Sequence, residues 1–69
     1  MNIELIKLAN DKFLYNKSLS DKELDALINF YSNLDVELTI LGDYYYLAWV
    51  DIFNKLNRLK GMKEARKSN

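Results

Sequence analysis

Leu19-Ser20-Asp21-Lys22-Glu23-Leu24 is the stretch from which the rest of this chain can be read. Ser20 precedes an apolar-periodic run and Glu23 follows it by three residues. This is the spacing of a capping box, in which hydroxyl and carboxylate each accept the other residue's backbone N–H. Leu19 and Leu24 stand where a hydrophobic staple places its two apolar residues. A helix is therefore predicted to begin at Asp21.

Downstream, Leu24, Leu27, Ile28, Tyr31, Leu34, Leu38 and Leu41 recur at spacings of three and four, one stripe of a helix. Asp25, Asn29, Ser32 and Asn33 fall opposite. Val36 and Ile40 break the pattern by projecting from the polar side, which requires either a cover over them or an earlier end to the helix. Gly42-Asp43 is the only mid-chain breaker: Gly suits a positive-φ position after a helix, and Asp43 can cap the next one. Beyond it Tyr45, Ala48, Trp49, Ile52, Leu56 and Leu59 form a second stripe opposed by Asp51, Asn54, Lys55 and Arg58, and Trp49 is expected in the core. A short link between two long amphipathic helices implies an antiparallel hairpin.

Upstream, Leu5, Ile6, Ala9 and Phe13 share a face, with Glu4, Lys7 and Asp11 roughly opposite, so a shorter helix is expected over the groove of the hairpin. The predicted fold is all-α, one domain over residues 1–69, with helices at 2–15, 21–41 and 44–66 and a frayed end weakened by Gly61. A rival reading makes residues 36–46 a β-hairpin, from the β-branched Val36-Glu37-Leu38-Thr39-Ile40 and from Tyr44-Tyr45-Tyr46. The three-four spacing from Leu24 to Leu41 favours helix.

Composition excludes several chemistries. The chain has neither Cys nor His, which removes disulfides, thiol nucleophiles, thiolate or imidazole zinc sites, and the side chain best suited to proton transfer near pH 7. It has no Gly-rich phosphate loop, nucleophile elbow or calcium loop. No catalytic residue, metal ligand or cofactor is expected, and the protein is read as a non-enzyme. The absence of a long apolar run and of a basic start leads to the expectation of a cytoplasmic protein without a membrane partner. At 69 residues with 49% hydrophobic composition, a single small core has little stability to spare, so self-association as a homodimer is expected.

Charge is sorted along the chain. From Asp21 to Asp51 seven acids face one base, 1 − 7 = −6, and from Ile52 to Asn69 six bases face one acid, 6 − 1 = +5. The formal zero is a cancellation of two opposed patches, and local fields of this kind steer partners. Lys55, Arg58, Lys63, Arg66 and Lys67 are candidates for a charged partner, either an acidic protein or a nucleic acid. Cations at the C-terminus of a helix also complement its dipole without any partner. The acids are read as a solvated face.

The other candidate surface is the aromatic block. With Tyr45, Ala48, Trp49 and Ile52 turned to the core, Tyr44, Tyr46, Leu47, Val50 and Phe53 form a second apolar strip that a two-helix hairpin cannot bury alone. Either the N-terminal helix covers it, or it is a protein interface, since Tyr and Trp are enriched at binding hot spots. Base stacking is disfavoured by Asp43 and Asp51 beside it.

Residues encoded by AT-rich codons (Phe, Tyr, Met, Ile, Asn, Lys) number 31, against 8 for Gly, Ala, Arg and Pro together. In size and composition the chain resembles the small accessory proteins of bacteriophages and other mobile elements. The resemblance implies a module that binds a host protein and modulates or inhibits it in the host cytoplasm. The alternative is a small nucleic-acid-binding protein using the basic C-terminal helix.

Overall fold

The computed structural model describes residues 2–67. They form three α-helices: α1 over Ile3–Leu14, α2 over Asp21–Leu41 and α3 over Tyr46–Lys67, with a 3₁₀ turn at Asp43–Tyr45 leading into α3. No strand occurs among the described residues, so the β-hairpin alternative at 36–46 is overturned. The predicted fray beyond Lys67 lies outside them.

The helix ends follow from local chemistry. Ser20 Oγ accepts from the Glu23 N–H at 3.1 Å and Glu23 Oε1 from the Ser20 N–H at 2.9 Å, closing the capping box that starts α2. Asn2 caps α1 by accepting from the Leu5 N–H at 3.0 Å. At the far end of α1 the Asn16 N–H reaches the Phe13 carbonyl and the Lys17 N–H the Lys12 carbonyl, with Asn16 at φ +57°. This is a Schellman termination with Asn in place of the usual Gly. α2 ends at Gly42, whose φ of +83° a side chain would strain. Its N–H bonds the Leu38 carbonyl, and the Asp43 side chain makes no cap bond, contrary to expectation. α3 runs through Gly61 without interruption to Lys67.

The core is gathered at one end of the molecule. Ala9 and Phe13 of α1, Leu19 of the connection, Leu24, Leu27 and Tyr31 of α2, and Leu56 and Leu59 of α3 are buried together, with Ile6, Ile28, Phe30, Leu34 and Ile52 packed partly against them. Phe13 meets the edge of Tyr31 with ring centroids 6.4 Å apart, while the Arg58 guanidinium lies 4.9 Å over its ring. The Tyr31 hydroxyl donates to Asn10 Oδ1. Burial pushes that phenol above its ordinary pKa, an effect the nearby Lys55 opposes.

At the other end the predicted stripes are not covered. Leu41 and Tyr45 are exposed, Ala48 too, and Trp49 is only half-buried and stands outside the core. α2 has 21 residues and α1 only 12, so at 1.5 Å per residue α1 falls short of α2 by about 14 Å. Val36 and Ile40, on the side of α2 away from its buried stripe, are exposed on a helix that neither ends early nor is covered there.

Leu27→Ala should destabilise by about 2–5 kcal/mol in a urea titration, since Leu27 is fully enclosed. Trp49→Ala should cost less despite its larger side chain, and the reverse order would return Trp49 to the core.

Glu23 supplies a second test. Its buried carboxylate is 2.9 Å from Lys12 Nζ. The bond to Lys12, followed by the Ser20 N–H, holds its pKa at about 2 against an ordinary 4.5. A carboxyl with a depressed folded-state pKa stabilises the fold above its unfolded value and loses that contribution as pH falls from 4.5 through about 2. Glu23→Gln should flatten the fall of stability in this window, followed by circular dichroism. An unchanged acid transition would assign the window to other carboxylates.

Candidate functional site

The basic residues of α3 find acids within the same chain. Lys63 Nζ lies 2.7 Å from Asp25 Oδ1, and Arg66 Nη1 lies 2.7 Å from Asp21 Oδ1. Arg66 also donates through Nη2 to the Leu19 carbonyl, tying α3 to the connection that precedes α2. These contacts bring the end of α3 to the start of α2. Lys55 pairs with Asp51 at 2.9 Å, Lys67 with Glu64 at 3.6 Å, and Arg58 covers Phe13. All five charged-partner candidates, Lys55, Arg58, Lys63, Arg66 and Lys67, are thus engaged internally. Sequence reading looked to an acidic protein or a nucleic acid as their partner and missed the acids of their own chain, among them Asp21 and Asp25 of α2.

The aromatic strip is arranged differently. The rings of Tyr46, Trp49 and Phe53 stack in a ladder, 6.0 Å and 5.0 Å apart with planes inclined by 30° and 24°. Tyr44 and Tyr45 meet edge to face at 5.1 Å at the foot of α3. Tyr44 is 90% exposed, Leu47 82%, Tyr46 58% and Phe53 39%, with Val50 half-buried. α1 does not cover this strip: it meets α3 through Phe13 under Arg58, and at helical spacing Arg58 lies well round the helix from the ladder. The expected cover is therefore absent, and the strip stays open.

Further apolar residues are exposed outside the predicted strip. Val36, Ile40 and Leu41, in the last two turns of α2, are all more than half exposed. Trp49 joins the ladder instead of the core. The signal for Val36 and Ile40 was present in the sequence, as two apolar residues one turn apart on a polar face. A shallow cleft runs between the helices beside the turn, lined by Leu38, Thr39, Gly42, Asp43, Tyr46 and Trp49.

The electrostatics of this end are one-sided. No Lys or Arg occurs between Lys22 and Lys55. Asp35, Glu37 and Asp43 form no ion pair among the described residues. Two polar atoms here, Asp35 Oδ1 and Trp49 Nε1, are shielded from solvent without a hydrogen-bond partner, a state that costs about 1–3 kcal/mol per group. Among the described residues no cluster of acids is placed to hold a metal ion, and no helix is long and apolar enough to cross a membrane. Comparison with known proteins finds no matching family model, no matching curated protein and no matching solved structure.

Replacing Lys63 and Arg66 with Gln should lower stability by under about 1 kcal/mol per pair, because both pairs are solvent-exposed. The loss should be largest at low salt and fade toward 1 M NaCl, where the Debye length is about 3 Å. A loss that ignores salt would instead assign it to packing of the long side-chain stems.

Proposed function

We propose that this chain is a non-enzymatic protein–protein interaction module. In this reading α2 and α3 form an antiparallel helical hairpin braced by α1 at one end. The other end presents Tyr44, Tyr46, Leu47, Val50 and Phe53 to a second protein. Its action is to bind that protein and modulate or inhibit it, in the manner of the small accessory proteins of phages and mobile elements, inside the host cytoplasm.

The observation that carries the reading is the exposed, preassembled aromatic ladder. Aromatic side chains supply large contact area for little conformational entropy, and exposed apolar clusters on small proteins mark interaction surfaces. Internal pairing of the α3 bases weighs against nucleic-acid binding, since a phosphate would have to displace the carboxylates of Asp21 and Asp25. Self-association as a homodimer is the competing use of the same aromatic surface.

A photo-crosslinking amino acid placed at Leu47 tests this reading in the cells that make the protein, with the same group at Lys60 as control. Position 47 should yield a defined adduct with another protein and position 60 none. Adducts only at multiples of the chain's own 8.2 kDa would assign the surface to self-assembly, and no adduct at position 47 would remove the proposal.

A further inference from the structure

We infer that the aromatic end takes a basic amphipathic helix of its partner, docked along the Tyr46–Trp49–Phe53 ladder beside the Asp43 carboxylate of the adjoining cleft. This rests on the reading of that end as a protein-binding surface and adds the chemistry of what binds there.

Shape selects a helix. The ladder spans eight residues of α3, Tyr46 to Phe53, about 10 Å or two turns, which is the length over which a docking helix presents residues at i, i+3, i+4 and i+7. It borders the cleft that Tyr46 and Trp49 share with Leu38 and Thr39 of α2. At the opposite end α1 fills the place beside the two long helices and completes a core. The ladder and its cleft have no such helix against them among the described residues, and one from outside would bury them by the same kind of packing. A strand has nothing to pair with. The backbone at this end is in helix or in the bonded Gly42 turn, so recognition must go through side chains.

Charge selects the sign. The carboxylates of Asp35, Glu37 and Asp43 have no basic counterpart within the stretch from Glu23 to Asn54, and Asp43 lines the cleft itself. Lysines or arginines flanking an apolar face would answer them. The same acids repel nucleic acid and anionic membranes. A two-fold contact between copies through this end would bring two acidic ends together, each with Asp43 at its cleft, which disfavours a second copy as occupant.

The test uses three 14-residue peptides free of aromatic residues: leucine and lysine with the leucines on one helical face, the same composition scrambled, and leucine with glutamate in the first pattern. Because Trp49 is the only tryptophan, its emission reports occupancy of the ladder, with fluorescein anisotropy as the second readout. The patterned leucine-lysine peptide should bind, shift Trp49 emission to the blue and weaken severalfold as salt rises. The scrambled and glutamate peptides should bind at least ~10-fold more weakly.

Asp43→Asn should weaken the lysine peptide severalfold while the helical circular dichroism is unchanged. Leu47→Asp separates docking from nonspecific attraction, because it adds negative charge and yet should reduce binding. Equal binding of the glutamate peptide would overturn the inferred charge selection and leave the apolar surface standing. Failure of the lysine peptide to bind, tighter binding by Leu47→Asp, or a dimer in sedimentation that Leu47→Asp dissociates would overturn the inferred occupant.

Discussion

The carboxylate of Glu23 is the point at which the separate segments of this small protein become one structure. One oxygen accepts the Ser20 N–H and so fixes where α2 begins, and the other reaches Lys12 of α1 at 2.9 Å. A single side chain thus joins a helix start, the connection before it and the neighbouring helix. Its shielded position strengthens both contacts relative to surface pairs. Leu24, beside it in sequence, and Phe13, beside Lys12, belong to the apolar core, so the polar junction adjoins that core.

Outward from that junction, order is imposed by weaker and more numerous terms. The pairs Asp25–Lys63 and Asp21–Arg66 are surface ion pairs of small individual worth. Their value lies in alignment: they match the start of α2 with the end of α3, and sliding α3 by a turn would break both at once. Arg66 extends the match to the Leu19 carbonyl, so the connection, α2 and α3 share one clamp. Segregated charge, which from sequence looks like a signal to an outside partner, is in large part spent on the chain's own register.

What the sequence discloses and what it hides divide along the range of the interaction. Local chemistry was legible: Ser20 with Glu23 locates the start of α2, Gly42 locates its end, and the three-four spacing decides helix over strand at 36–46. The Schellman end at Asn16 went unread because Asn carries a weaker preference for positive φ than Gly. Burial was legible only for the half of each stripe that another helix reaches. Periodicity marks Leu27 and Leu41, or Leu56 and Tyr45, as equivalents, and only the short reach of α1 separates them. The candidate strip Tyr44, Tyr46, Leu47, Val50 and Phe53 could be named from its surplus over one face. Whether α1 covered it was a question of tertiary geometry. Pairing of Lys63 and Arg66 with acids some forty residues earlier has no local signature at all.

The acids around the aromatic turn have a second consequence, for the colloidal behaviour of the protein. A chain of zero net charge has no global repulsion to keep its copies apart, and its exposed tyrosines and leucines would be expected to coalesce. Asp35, Glu37 and Asp43 act as gatekeepers in this setting, placing like charge where sticky surfaces would meet. Dispersion of the free protein therefore depends on a local dipolar arrangement and not on overall charge.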